Sequence, residues 1–311
     1  MQLIFGPVNS RRFGASLGVD LSASNKQCNF DCLYCELAPT QTVDKQTNVT
    51  QVDKIIQSLK EHLNDKIDVI TLTANGEPTL YPYLDKLVDE IDKIKNNTQT
   101  LILTNSATLV DERVFNTLLK LDQVKLSLDA VSEDIFKKID RPHPNIKIDE
   151  IVKKVQKFSK IYTGKLFIEI LFVKNLNDTD DEVKKLNEVL KNIDASRIDL
   201  GTIDRPPAYG VEAISYERLF DISMMFDKNL PIHIASRVDA KPLNLSYSNE
   251  DIINTLDKRP LTMQDIDLMF DDESKTRLEN LIKDKKILKK TLQNLEFLLP
   301  NTNLARKLQK S

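Results

Sequence analysis

Glycine and cysteine are both scarce in this chain. Seven of its 311 residues are glycine, against a usual share of roughly 7%. Three are cysteine, and all three fall between positions 28 and 35. An odd count cannot pair completely into disulfides, and no cysteine elsewhere offers a partner. A disulfide-stapled secreted scaffold is therefore excluded. Long apolar runs are missing too: residues 166–173 form a short stretch interrupted by Glu169, well below the roughly 18 residues of a membrane span. Met1 to Gly6 lacks the basic segment and apolar core of a signal peptide. The net charge of −3 argues against a chain-wide nucleic-acid surface and leaves a local patch open. These absences lead us to expect a soluble, cytoplasmic protein from a reducing compartment, with no membrane contact.

The chain is rich in what a globular fold needs. Hydrophobic residues make up 41% and charged residues 29%, and the length suits about two domains. Up to about residue 240, strand-like and helix-like patterns alternate. Runs at 16–21, 67–73, 100–104, 123–128, 166–173 and 197–202 read as strands. Between them lie helical stripes such as Val52, Ile55, Ile56 and Leu59, behind Thr50 as an expected N-cap. About six βα units imply right-handed crossovers and a parallel sheet. A partial (β/α)6 barrel and a doubly wound sheet both fit this order. In either, the polar residues just past the strands share one face: Asn75, Gly76 and Glu77, then Asn105, Asp129, Asn175, Asp204 and Arg205.

The composition shifts after Asp239. Pro242, Asn244, Ser246 and Ser248 read as a linker over 241–248. Helical patterns follow at 250–257, 263–270 and 275–284, with Thr262 and Ser274 as expected N-caps, and 287–299 has room for a hairpin. This order suggests a winged-helix-like α+β domain over 249–311, behind an α/β domain over 1–240. Between Lys275 and Lys290, seven Lys/Arg face two Asp/Glu, as a nucleic-acid reader would need. A docking or oligomerisation module with a solvated charged face fits the same residues.

Cys28-Asn-Phe-Asp-Cys32-Leu-Tyr-Cys35 has C-x3-C-x2-C spacing. Three thiolates so close can wrap one metal centre. A cubane cluster has four irons, so three cysteines leave one iron open for a substrate. A Cys3His zinc site using His62, His143 or His233 is an alternative, although none of these is close in sequence. Buried structural cysteines, or a redox pair, are a second.

The spacing, with aromatic Tyr34 before the last cysteine, resembles the signature of the radical S-adenosylmethionine (SAM) superfamily. That resemblance covers roughly 1–240 and implies a partial (β/α)6 barrel. It further implies a [4Fe–4S] cluster on Cys28, Cys32 and Cys35, with SAM bound at the open iron. One electron from a flavodoxin- or ferredoxin-type donor would then cleave SAM to methionine and a 5′-deoxyadenosyl radical, which abstracts hydrogen from a substrate. Asn75-Gly76-Glu77-Pro78 is similar to the GGE-type motif that binds the SAM amino group, with Asn in place of the first glycine. Asn105 and Ser127 look like further SAM contacts. Asp129 either joins them or caps a loop, and Tyr34 either approaches the adenine or packs in the core. The resemblance assigns no catalytic side chain.

Gly6-Pro7-Val8-Asn9-Ser10-Arg11-Arg12, Leu126-Ser127-Leu128-Asp129-Ala130, Asp140-Arg141-Pro142-His143 and Arg205-Pro206-Pro207 resemble a subgroup placed with wyosine-base-forming tRNA enzymes. Arg11, Arg12, Arg141 and Arg205 either line an anionic pocket or form structural ion pairs. Wyosine-forming enzymes use extra cysteines for a second cluster, and this chain has none. The substrate is left open between a small molecule, a peptide and an RNA. A cluster sensor with a DNA-binding winged helix is the non-enzymatic alternative.

Overall fold

The computed structural model describes residues 3–10, 13–22, 25–64, 66–234, 244–258, 261–292 and 295–301. Arg11, Arg12, Asp239 and Pro242 lie outside them.

Eight strands form one sheet whose spatial order equals the chain order. They are β1 (Ile4–Ser10), β2 (Gly14–Asp20), β3 (Val69–Thr73), β4 (Gln99–Thr104), β5 (Gln123–Ser127), β6 (Lys165–Phe172), β7 (Arg197–Thr202) and β8 (Ile232–Ile234). The pair β1–β2 is antiparallel, and every later neighbour pair is parallel. Helices fill the crossovers: α1 (Val52–His62), α2 (Leu84–Asp92), α3 (Glu112–Leu118), α4 (Glu133–Ile139), α5 (Ile148–Ile161), α6 (Asp180–Leu190) and α7 (Tyr216–Met225). A doubly wound sheet reverses its order at a switch point. This sheet never reverses, so right-handed crossovers lay the helices on one face and leave the other as a lumen. The architecture is a partial (β/α)6 barrel.

The main core lies between sheet and helices. Leu17, Val19, Ile70, Leu72, Ile102 and Val124 point outward from the strands and meet Ile55, Leu59, Leu87, Ile91 and Phe115 from the helices. Sequence periodicity placed these helices well, but one cap differs. Gln51, not Thr50, is the N-cap of α1, and it makes no side-chain cap bond. The Thr50 carbonyl instead accepts the Tyr81 hydroxyl at 2.7 Å.

A second core gathers around α8 (Asn249–Lys258), α9 (Met263–Met269) and α10 (Asp272–Lys283), with β9 (Leu261–Thr262), β10 (Ile287–Leu292) and β11 (Leu295–Pro300) in the sheet order β10-β11-β9. Thr262 caps α9 through a capping box with Asp265. Asp271, rather than Ser274, caps α10; Ser274 is fully buried, and its hydroxyl accepts Tyr247 N–H at 2.7 Å. Tyr247 stacks on Phe270 at 4.4 Å and donates its hydroxyl to the Pro7 carbonyl of β1. Val8 of β1 packs in this second core, whereas Ile4 packs in the first. Among the described residues no helix is long and apolar enough to cross a membrane.

Candidate functional site

Cys28, Cys32 and Cys35 lie on the long segment between β2 and α1, at the mouth formed by the C-terminal strand ends. Backbone bonds clamp this segment from three crossovers. Gln27 donates to the Asn75 carbonyl at 3.2 Å and accepts Glu77 N–H at 3.1 Å. Leu33 N–H reaches the Ile139 carbonyl at 2.9 Å, and Ala208 N–H reaches the Cys35 carbonyl at 2.8 Å. Gly76 makes the first clamp possible. Its φ is +139°, and a Cβ there would sit 2.0 Å from the Gln27 carbonyl oxygen, so only glycine fits.

N–H donors surround the sulfurs. Phe30 N–H is 3.4 Å from Cys28 Sγ, Asn105 Nδ2 is 3.8 Å from the same atom, and Lys26 Nζ is 3.6 Å from Cys35 Sγ. Burial, together with the nearby Glu77 carboxylate, pushes the Cys28 thiol up to about 12. Burial and Asp140 push Cys32 well above the usual thiol range, and burial raises Cys35 as well. Such thiols ionise only when a strong positive centre takes the place of the proton. Burial alone would lower Lys26, but the charges of Cys35, Cys28, Asp31 and Cys32 outweigh it and raise it. The donor set therefore fits an iron–sulfur cluster: soft sulfurs, compensated by N–H groups and one ammonium. Among the described residues no three His, Cys, Asp or Glu side chains converge on a single-ion site. A cubane needs no such convergence, because each thiolate takes a different iron. His143 meets the loop only through its backbone N–H on the Asn29 carbonyl, and His233 meets Asp199.

Two carboxylates at strand ends hold the neighbouring loops. Asp20 accepts the Ser22 hydroxyl and backbone N–H, and Ser22 Oγ accepts Asn75 N–H. Glu77 is 2% exposed. Its Oε1 accepts Thr79 N–H at 3.0 Å and the hydroxyls of Thr79 at 2.5 Å and Thr104 at 2.7 Å, and its Oε2 accepts Asn105 N–H at 2.8 Å. Burial raises the Glu77 carboxyl even against these donors. Asn105 then reaches Asn29 Oδ1 at 2.6 Å as well as Cys28 Sγ. Glu77 is thus tied to Cys28 through Asn105.

The other predicted contacts meet on the far side of the cysteine loop. Tyr34, Asn105, Ser127 and Asp129 line one small cavity, walled by Phe30 and Phe136. Tyr34 donates its hydroxyl to Asp129 Oδ2, and Asp129 Oδ1 accepts Leu171 N–H at 2.7 Å. Burial pushes the Asp129 carboxyl up to about 7 despite both donors. Asp140, buried beside it, is raised further by burial and by the Asp129 charge, while Cys32 and Tyr34 hydrogen bonds oppose the shift. The Ser127 carbonyl accepts Ser106 Oγ at 2.8 Å. A much larger cavity, about 1190 Å³, opens at the opposite mouth between Asp68, Thr98, Gln123 and Arg197, away from the cysteines.

Arg141 and Arg205 follow the ion-pair alternative, and the expectation at Asn175 changes. Arg141 pairs with Asp31 at 3.3 Å and lies over the Tyr209 ring, and Arg205 pairs with Glu36 at 2.8 Å. Both arginines thus serve ion pairs rather than an open anionic pocket. Asn175 forms a left-handed turn at φ 60°, and the strand-end amide with a structural task is Asn177. It is fully buried and bonds the Asp129 and Leu171 carbonyls, both at 2.8 Å. Sequence reasoning also missed Lys26, whose ammonium meets Cys35 and Asp31 within the same loop, and Asp31 and Tyr209, which meet across distant crossovers.

Comparison with known proteins agrees with this geometry. Residues 24–187 match the family model of the radical SAM superfamily. The chain is 38% identical over 301 residues to a UPF0026 protein of Helicobacter pylori (strain J99 / ATCC 700824), covering 96% of this chain and 97% of that protein. It is 30% identical over 168 residues to a GTP 3′,8-cyclase of Clostridium botulinum (strain Hall / ATCC 3502 / NCTC 13319 / Type A), covering 53% of this chain and 50% of that enzyme. The crystal structure of a radical SAM methyltransferase from Sphaerobacter thermophilus shares the fold, with a TM-score of 0.55 at 16% identity over 72% of this chain and 67% of that one. The chain belongs to the radical SAM superfamily, enzymes that use a [4Fe–4S] cluster to cleave S-adenosylmethionine.

Proposed function

We propose that Cys28, Cys32 and Cys35 ligate three irons of the cluster and that Tyr34, Asn75, Gly76, Glu77, Asn105, Ser127 and Asp129 form the SAM pocket. The observation that carries this reading is the Glu77–Asn105–Cys28 connection. It joins the strand-end carboxylate, the strand-end amide and the first cysteine in one set of hydrogen bonds. When bound, the cluster and SAM supply, on one-electron reduction, a 5′-deoxyadenosyl radical that abstracts hydrogen from the substrate. The protein's part is orientation and exclusion of water. Asn105 and Lys26 place positive N–H density on the sulfurs. Tyr34 ties the cysteine loop to the end of β5 through Asp129. Phe30 and Phe136 meet edge to face at 5.4 Å and keep that side of the cavity dry. We further propose a flavodoxin- or ferredoxin-type electron donor and a reducing compartment, in keeping with three unpaired cysteines.

For the substrate, a small molecule is better supported than RNA. The helix order and three-stranded sheet of the C-terminal unit suit a winged-helix-like module. Several of its basic residues, however, are balanced within it: Lys275 pairs with Asp267, Arg277 with Glu273 and Lys289 with Glu296. A wyosine-type reaction on tRNA predicts a steep fall in RNA affinity with salt, and a flat or absent response removes that reading. A DNA-binding sensor would have no need of a SAM pocket at the strand ends.

Anaerobic reconstitution tests the main proposal. The wild-type protein should bind about four irons per chain, and the triple Cys→Ala variant should bind none. Dithionite and SAM should then yield 5′-deoxyadenosine. A fully loaded protein that leaves SAM intact would falsify the reading.

A further inference from the structure

Helix α7 carries two apolar stripes, and the core uses only one of them. Leu219 and Ile222, with Phe226 just past the helix end, are buried in the main core. Tyr216, Phe220 and Met224 repeat every fourth residue on another side and are 64%, 50% and 71% exposed. Residues four apart are neighbours on a helix surface, so these three form a continuous row. Among the described residues seven large apolar side chains are exposed, and the two most exposed of them belong to this row. Exposed apolar residues scattered singly need no explanation, whereas a contiguous patch marks an interaction surface.

The helix is held firmly. Ser215 caps it by accepting Arg218 N–H at 3.1 Å. Arg218 pairs with Asp180 of α6 at 2.7 Å, and Asp227 N–H reaches Asn187 Oδ1 at 2.8 Å. The row is thus a fixed surface, which binds without a large ordering cost.

The charges around the row indicate what covers it. Glu217 and Asp221 border it in the first half of α7, and Lys228 follows the helix end. Among the described residues Asp221 and Lys228 have no ion-pair partner, and Glu217 is hydrogen-bonded by Ser215 but meets no cation. Asp227 turns elsewhere: it accepts Asn229 N–H at 2.8 Å, and its charge is felt at Lys191. A lipid surface draws helices with Lys and Arg on the polar face, and here that border is acidic. Acid at one end and base at the other is self-complementary, as a two-fold interface requires. Two α7 helices set antiparallel bring Glu217 of each copy toward Lys228 of the other, and their dipoles oppose favourably. Set parallel, they would place acid against acid. With the two-fold axis level with Ile222, Phe220 of each copy meets Met224 of the other, a favourable sulfur–aromatic contact.

We propose that the exposed face of α7 is the interface of a symmetric homodimer, its two helices antiparallel, with Phe220 on Met224 and Glu217 beside Lys228. One ten-residue helix from each copy makes a small interface, so the dimer should dissociate on dilution.

Sedimentation velocity of the full chain over a wide concentration range tests this. The wild type should move from a single chain of 35.6 kDa toward twice that mass as concentration rises. Phe220→Asp and Met224→Asp each put a carboxylate into the row of both copies and should raise the dissociation constant at least tenfold. Ile161→Asp, on an exposed apolar residue of α5, should not. All three side chains are exposed, and melting temperatures close to that of the wild type verify that the variants fold. Glu217→Lys and Lys228→Glu should each weaken the dimer, and the double variant Glu217→Lys/Lys228→Glu should recover it. A wild type that stays monomeric at every concentration overturns the inference. A dimer indifferent to Phe220→Asp and Met224→Asp has its interface elsewhere and overturns it too. A double variant no tighter than the single ones overturns the antiparallel pairing.

Discussion

Glu77 accepts the backbone N–H of Asn105 at 2.8 Å from inside the protein, at 2% exposure. The carboxylate of one strand end therefore sets the position of the next. Because Oε1 also takes two hydroxyls and a backbone N–H, an amide at this position would turn one acceptor into a donor facing donors. Glu77→Gln should cost about 2 kcal/mol of stability, the scale of a charge-assisted hydrogen bond lost in a buried site. It should lower SAM cleavage at least tenfold while iron content stays within a factor of two. Chemical denaturation, iron assay and 5′-deoxyadenosine yield read the three quantities.

Gly76 makes a sharper claim about assembly. A methyl group there would overlap the Gln27 carbonyl, at a φ that side chains rarely adopt. Gly76→Ala should destabilise the protein by about 1–3 kcal/mol through backbone strain. It should also push the cysteine loop off the β3 end, so iron loading should fall. Loading that stays at wild-type level in this variant would show that the bridge to Gln27 does not set the cysteines.

The sequence was informative wherever the chemistry is local. The cysteines lie within eight positions of one another, and each strand end announces itself by a switch from apolar to polar residues. What stayed hidden depends on distance along the chain. Lys125 and Glu169 meet because two parallel strands align, and a crossover of two helices separates them in sequence. The alternation in Gln123–Ser127 was the one available signal, since a strand covered by helices on one face has polar alternate residues only where its other face meets a polar lumen. β1 was missed because Gly6-Pro7 interrupts its apolar pattern, and its pairing to β2 is itself irregular between Phe5 and Val8. Asn177 rather than Asn175 was unreadable because both follow the same strand, and only the turn geometry separates them.

Asp129 gives a pH signature. Burial lifts its carboxyl from the ordinary 3.8 to about 7, so the native state holds a proton that the unfolded chain releases. Stability from this group is fully present below about pH 4 and is lost as pH rises through 7. The difference in melting temperature between wild type and Asp129→Asn should therefore move against the wild type between pH 4 and pH 7.5, then level off. A difference independent of pH would mean that Asp129 is already ionised at low pH.

The C-terminal unit is joined to the barrel through β1, where Val8 enters its core and Pro7 accepts the Tyr247 hydroxyl. The Asp265 charge of α9 is also felt at Arg205, just past the end of β7. Tyr247→Phe removes one hydrogen bond and should cost about 1 kcal/mol. Val8→Asp places a charge in the second core without a counter-charge, a larger penalty. Limited proteolysis of this variant should cut first within 244–301 and leave the barrel whole. If iron loading survives that cut, the cofactor site is complete in the barrel and the C-terminal unit contributes only to the wall around it. If loading is lost with the cut, the C-terminal unit belongs to the machinery that holds the cysteine loop, where Arg205 pairs with Glu36 next to Cys35.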